Sequence, residues 1–252
     1  MRVLVLCEES QAVCKAFRER GHEAYSCDLM PCSGGHPEWH IQNDALYILG
    51  LRGGDLFDTL DGKEHVAPDR WDLIVAHPPC TYLSNAGACR LYPKKGHLNK
   101  KRYKLGLMAK EFFLQIYNAD CGKVCVENPI PSTIFDMPPC SQIIEPYEFG
   151  QPYSKKTCLW LKGLPKLKPT KIVTKYKPYV SCGTSHNKGN KEKSGYSRAG
   201  GAAKVRSRTF DGIARAMADQ WGSLNTTDSW WVGDDPDQVS IYNLPDVITW
   251  EV

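Results

Sequence analysis

A four-residue apolar run, Leu73-Ile74-Val75-Ala76, is stopped abruptly by His77-Pro78-Pro79. The run is short and rich in β-branched side chains, which suits a strand buried on both faces of a parallel sheet. Proline donates nothing to a strand ladder and turns the preceding residue away from helix. Cys80 is therefore expected in a rigid loop just past the carboxyl end of a central strand. In open α/β sheets that edge is where ligands bind. A thiol held there is a candidate nucleophile, although free cysteines are often buried and inert. This stretch alone leaves both readings open. A second stretch repeats the pattern. Lys123-Val124-Cys125-Val126 reads as a strand ending in Glu127-Asn128-Pro129. Two neighbouring strands would then deliver Cys80 and Glu127 to one edge.

The amino-terminal segment supplies the matching half of an α/β fold. Arg2 to Leu6 reads as a first strand. Ser10 is placed to cap a helix from Gln11 to Arg20, with Val13, Ala16 and Phe17 on its apolar face. Glu23 to Cys27 reads as a second strand ending at Asp28. Strand, helix, strand and a terminal acid form the mononucleotide-binding half of a doubly wound fold, in which the acid binds ribose hydroxyls. The first turn, Cys7-Glu8-Glu9-Ser10-Gln11, lacks the glycine fingerprint, and two carboxylates at a helix start oppose a pyrophosphate. A cofactor without phosphates fits better. Asp44 either accepts from an adenine amino group or caps a helix starting at Ala45. Residues 52–70 read as an exposed connection. Residues 85–102, basic and short of apolar periodicity, read as a long loop over the active face. Tyr103 to Asn118 reads as a helix with Leu107, Phe112, Phe113 and Ile116 inward.

At 252 residues the chain suits one α/β domain with an insert. No segment approaches the roughly 20 apolar residues of a membrane helix, and the first strand runs straight into Glu8-Glu9, unlike a signal peptide. Eleven cysteines, odd in number and irregular in spacing, point to a reducing cytoplasm. Charge is uneven. Ser154 to Arg208 holds fifteen Lys and Arg against one acid, and Ser223 to Val252 holds six acids and no Lys or Arg. That asymmetry suggests a polyanion-binding segment beside an acidic tail. The expected organisation is a core over 1–161, a small basic insert over 162–206, a helix returning to the core over 207–222 and an acidic aromatic tail over 223–252. Cys27, Cys32, His36 and His40 are spaced as zinc ligands can be, but Cys27 ends a strand and Asp28 is better used on a ribose. The expectation is no metal.

A thiolate and a carboxylic acid converging on one pocket can perform conjugate addition to a pyrimidine. The thiolate attacks carbon 6, the carboxyl group hydrogen-bonds or protonates nitrogen 3, and carbon 5 becomes nucleophilic enough to take a methyl group from a sulfonium donor. On these residues the chain resembles the cytosine-5 DNA methyltransferases, most closely the short phage and prophage proteins of that type. Pro78-Pro79-Cys80 is similar to the nucleophile motif and Glu127-Asn128-Pro129 to the glutamate motif, with Pro where Val is usual. Phe149 to Thr157 is similar to the stretch that follows, with Lys155 and Thr157 standing for its paired arginines. Ile213 to Ala218 is similar to the last helix. The similarity runs in family order from about Arg2 to Trp221.

The resemblance implies a Rossmann-like methyltransferase fold using S-adenosylmethionine, with Cys80, Glu127 and Asn128 catalytic. It implies a cofactor face of Cys7, Glu8, Ser10 and Pro78 with Asp28, Leu29 and Asp44. It implies substrate contacts from Ser84, Lys155 and Thr157, and from Lys188, Lys191, Lys193, Arg206 and Arg208 in and after the insert. Tyr176, Tyr179 and Tyr196 are placed to stack on bases. The implied partner is DNA, with RNA or a free nucleotide as alternatives, met by a monomer in the cytoplasm of a bacterial or phage-infected cell. A protein that keeps the fold and binds nucleic acid without the cofactor is the other reading, because the family's glycine-rich first loop is replaced here by Cys7 to Gln11.

Overall fold

The computed structural model describes residues 1–179 and 208–224. β1 (Arg2–Leu6), α1 (Ala12–Arg18) and β2 (Glu23–Asp28) open the chain. β3 (His40–Gln42) and α2 (Ala45–Gly50) follow, then a hairpin of β4 (Leu56–Asp58) and β5 (Glu64–Val66). Next come β6 (Leu73–Ala76), α3 (Ala88–Leu91), α4 (Lys100–Tyr117) and β7 (Val124–Pro129). β8 (Gln142–Ile144), β9 (Tyr153–Ser154), β10 (Thr157–Lys162), β11 (Lys177–Pro178) and α5 (Asp211–Trp221) complete the described part.

Seven strands form one sheet in the order β3-β2-β1-β6-β7-β10-β8. The first five in that order are parallel, and β10 runs antiparallel between β7 and β8. The molecule is an α/β protein with a mostly parallel central sheet, compatible with a Rossmann-like fold. Strand order reverses between β1 and β6, and the crevice beyond the carboxyl ends there is where such sheets take ligands. Side chains alternate across each strand. Leu4, Leu6, Ile74, Ala76, Val124 and Val126 face one layer with Ile48 of α2 and Phe113 and Ile116 of α4. Val3, Val5, Leu73, Val75 and Cys125 face the other with Phe17 of α1 and Ile213, Met217 and Trp221 of α5. Every residue of β6 is buried, as its apolar run requires. Among the described residues no helix is long and apolar enough to cross a membrane.

Several expectations need correction. Ser10 does not cap α1. The helix begins one residue later than expected, after Gln11 in a left-handed conformation with no side-chain cap, and Glu8 reaches forward instead, accepting from Val13 N at 2.6 Å and Cys14 N at 3.1 Å. β7 ends, as expected, in Glu127-Asn128-Pro129. It continues through Pro129 because β10 pairs Leu159, Cys158 and Thr157 with residues 127 to 129 after β6 has stopped. Pro129 is tolerated at the end of that ladder. Residues 52–70 hold the β4–β5 hairpin. The long loop is interrupted by a 3₁₀ turn at Asn85–Gly87 and by α3, and α4 starts at Lys100 because Asn99 caps it through Arg102 N at 3.0 Å. Leu107 points outward. Gly106 takes the inward position, where a Cβ would stand 2.1 Å from the Phe135 ring. The expected boundary at 162 falls on the last residue of β10, and Leu167 beyond it is buried in the α1–α5 layer, its backbone held by Gln142 at 2.8 Å.

Candidate active site

The register of β6 and β7 builds the centre of the site. Ile74 pairs with Val124 and Ala76 with Val126, so the next residues, His77 just past β6 and Glu127 still within β7, stand side by side. They follow Val75 and Cys125 by two, which puts both on the α1–α5 face. His77 Nδ1 lies 3.2 Å from Glu127 Oε2, with 8% and 13% of the two side chains exposed. Thr209 Oγ1, just before α5, is 3.4 Å from the same nitrogen. Among the described residues His77 Nε2 is buried without a partner, and so is Asn128 Oδ1.

The loop carrying Cys80 is tied to the same strand. Asn128 Nδ2 donates to Pro78 O at 2.8 Å, Ser132 N to Leu83 O at 2.8 Å and Asn85 N to Ile130 O at 2.9 Å. Ser84 N donates to Cys80 O at 3.0 Å and closes a turn around the cysteine. Cys80 itself is partly exposed. On the far side the Arg102 guanidinium donates to Thr81 O and lies 5.0 Å from the Tyr82 ring centroid. The thiol-bearing loop and the carboxylate-bearing strand thus form one hydrogen-bonded unit.

Glu127, Lys155, Thr157, Thr209, Phe210 and Ile213 line a cavity of about 10 Å³, the room of about one water molecule. The Lys155 amide donates to Glu145 Oε2 at 2.6 Å, and its ammonium lies 5.9 Å from the Phe210 ring centroid. Burial pushes the Glu127 carboxyl up, but the hydrogen bond from His77 and the charges of Lys155 and His77 outweigh it and hold Glu127 below the ordinary carboxylate range. Burial pushes His77 down, but the hydrogen bond and charge of Glu127, together with the charge of Glu8, outweigh it and Lys155, and raise His77. The centre is a buried alternation of charge: Glu8, His77, Glu127, Lys155.

Across the sheet's switch point lie the expected cofactor residues. Cys7 has a positive φ of 58°. Burial first, then the charges of Asp28, Cys27 and Asp44, raise its thiol and keep it protonated. The same interaction brings Cys7, Asp28 and Asp44 to one end of the sheet. Asp28 is half-buried and accepts Met30 N at 2.9 Å through one oxygen, and Leu29 beside it is 69% exposed. Asp44 caps α2, accepting Leu46 N at 2.8 Å and Tyr47 N at 3.1 Å through Oδ1, so the capping alternative is realised. Glu8 is buried with both oxygens on α1 amides, and burial, the largest influence, raises its carboxyl. A helix start sealed by a carboxylate does not accept a phosphate. Ser10 and Pro78 are buried.

Arg208 is exposed and 3.8 Å from Asp211. Tyr176 stacks on Tyr147 at 4.1 Å, and Tyr179 packs edge-on against Tyr153 and Phe210. Lys188, Lys191, Lys193, Tyr196, Arg206 and nearly all of the acidic tail lie outside the described residues. The four spaced Cys and His do not converge. Cys27 donates to Asn43 O, His40 is bonded through both ring nitrogens to Ser26 and Met30, and His36 pairs with Glu38. Sequence reasoning missed His77, Thr209 and Phe210. His77 had a signal, since aligning the two strand ends puts it opposite Glu127. Thr209 and Phe210 come from far along the chain with no pattern to place them. No protein-family model matches this chain, and no curated protein matches it.

Proposed function

We propose that the protein methylates cytosine at carbon 5 in DNA, using S-adenosylmethionine and a covalent bond to Cys80. The observation that carries this reading is the tie between the Cys80 loop and the Glu127 strand, through Asn128 to Pro78 and through residues 83–85 to 130–132. That tie keeps a nucleophile and a carboxylate in fixed relation, as addition across a pyrimidine ring demands. Forming the sulfur–carbon 6 bond pushes electrons onto nitrogen 3, which takes a proton from Glu127. Carbon 5 then takes the methyl group, loses its proton to solvent, and Cys80 is expelled.

The residues across the switch point fit the cofactor. Asp28 offers a half-buried carboxylate to ribose hydroxyls, Leu29 offers an exposed apolar surface to a base, and the Glu8-sealed α1 start favours a ligand without phosphates. S-adenosylmethionine would supply the electrophilic methyl group there. The protein's own part is to hold Asp28 and Asp44 at one end of the sheet and the Cys80 loop at the next strand. A cytosine does not fit the cavity beside Glu127 as it stands, so the target base must leave its stack and the pocket must open around it.

The test is incubation of the purified protein with S-adenosylmethionine and duplex DNA, digestion, and mass measurement of the nucleosides. 5-Methylcytosine is expected. If DNA stays unmodified while RNA or a free cytidine nucleotide gains the methyl group, the substrate assignment is wrong. If calorimetry also shows no cofactor binding, the protein is a nucleic-acid-binding relative of the fold without the reaction.

A further inference from the structure

The proposed reaction requires a proton at nitrogen 3, yet Glu127 is surrounded by cations that keep it ionised. An ionised carboxylate binds the base but has no proton to give. Among the described residues His77 is hydrogen-bonded to Glu127 and is raised toward its protonated form. Its Nδ1 is 3.2 Å from Glu127 Oε2, both side chains are nearly buried, and each residue follows the last paired residues of β6 and β7, Ala76 and Val126. The groups facing His77 are Glu127 at the end of β7, Glu8 in the turn before α1, Lys155 in the turn before β10, and the Thr209 hydroxyl before α5. Two acids against one lysine favour imidazolium. Buried polar atoms without partners are rare, and among the described residues His77 Nε2 is one, on the ring whose other nitrogen faces Glu127.

We propose, resting on the reading above, that His77 and Glu127 share one proton and act as a pair, His77 supplying through Nδ1 the proton that Glu127 passes to the ring. The step balances without another reagent. As the Cys80 thiolate bonds to carbon 6, the carbon 5–carbon 6 pair moves to carbon 4–carbon 5, and the carbon 4–nitrogen 3 pair moves onto nitrogen 3. Nitrogen 3 takes the proton from Glu127. Glu127 is reprotonated by His77 Nδ1, and the imidazolium becomes a neutral imidazole with its proton on Nε2. As carbon 5 takes the methyl group, the carbon 4–carbon 5 pair forms the new bond, the nitrogen 3 pair returns to carbon 4, and nitrogen 3 releases its proton to Glu127, from which His77 recovers it; the carbon 5–hydrogen pair, its proton lost to solvent, then re-forms the carbon 5–carbon 6 bond as Cys80 is expelled. His77 is a positioning and proton-holding residue; of the two, only Glu127 touches the base. Histidine suits this place because its charge changes nearest physiological pH.

Two measurements on the full chain test the pair. The first is an NMR titration of carbon-13-labelled histidines, the His77 signal being identified by its loss in His77→Asn. His77 should titrate above the ordinary value of about 6.5 in the parent and below it in Glu127→Gln, where burial is no longer opposed. The same midpoint in both proteins overturns the proposal. The second is turnover against pH. The parent should lose turnover on the alkaline side as the pair loses its proton. His77→Asn should fall by on the order of 10²-fold, the usual scale of acid–base assistance, and lose that alkaline limb, while DNA affinity stays within about threefold. An unchanged pH profile in His77→Asn also overturns it. If that variant does not fold, the Glu127→Gln titration decides. If the parent turns over no cytosine at all, the methyltransferase reading fails while the titration still decides whether the proton is shared.

Discussion

On the proposed reading Cys80 acts only on the base, so Cys80→Ala should abolish turnover while leaving S-adenosylmethionine affinity near that of the parent. Retained turnover would remove the covalent mechanism. DNA carrying 5-fluorocytosine should leave a mass adduct on Cys80 and on no other of the eleven cysteines. The neighbouring ion pair makes a separate statement about stability. His77 has a raised folded-state pKa, so its contribution is complete below its unfolded value and is lost as pH rises through the folded one. Glu127 has a depressed folded-state pKa, so its contribution is complete above its unfolded value and is lost as pH falls through the folded one. Both are at full strength together between about 4.3 and 6.5, the unfolded values of Glu and His. The coupling energy from a double-mutant cycle of His77→Ala and Glu127→Ala, measured by urea unfolding, should peak in that window and shrink on either side. A coupling that stays flat from pH 4 to pH 9 would contradict the pairing.

Single local contacts set where the elements that aim these side chains begin. α1 depends on Glu8, whose two oxygens occupy the amides of Val13 and Cys14. Glu8→Ala should destabilise the protein by about 1–2 kcal/mol, as loss of a helix cap does, while Ser10→Ala should cost less because Ser10 caps nothing. Equal losses in thermal unfolding would show the cap to be wrongly assigned. α5 carries Thr209 and Phe210 to Glu127, and its start lies against the chain at Phe149. A Cβ on Gly212 would stand 1.9 Å from the Phe149 carbonyl oxygen. Gly212→Ala must therefore push the start of α5 away, costing about 1–3 kcal/mol as overpacking does and lowering turnover more than it lowers cofactor affinity. A variant with parental stability and turnover would mean that the start of α5 does not position the pocket.

Over the whole molecule, positive charge gathers on the side of the Cys80 loop. Thr81 to Lys110 contains eight Lys and Arg and no acid, and Arg90, Lys101 and Arg102 surround a cleft of about 350 Å³ together with Tyr82. Ser154 to Arg208 adds the second basic run. DNA affinity should accordingly fall steeply with salt, because each neutralised phosphate releases condensed counterions. Neutralising Lys188, Lys191 and Lys193 together should flatten the slope of log affinity against log salt by roughly 0.9 for each phosphate contact removed. Binding to all sequences should weaken alike, with the modified base unchanged. A parent protein indifferent to salt would turn attention from a polymer to a free nucleotide.

β6, β1, α1 and β2 were legible in the sequence because their signals are local. A buried parallel strand needs a short β-branched run, and prolines or an acid mark its end. The likeness of Pro78-Pro79-Cys80 and Glu127-Asn128-Pro129 lay in the sequence for the same reason. The β4–β5 hairpin and the start of α1 were not local. α1 starts where Glu8, itself buried by tertiary packing, can reach two amides. The pairing of His77 with Glu127 stands between these cases. Each residue follows an apolar run that the sequence marks, but only the register of β6 on β7 makes them neighbours. The burial that leaves their shared proton nowhere else to go comes from α5, more than 80 residues further along the chain. Sequence determines which strands end in reactive groups. Which groups meet, and how their charges are held, depends on packing between segments that no local pattern joins.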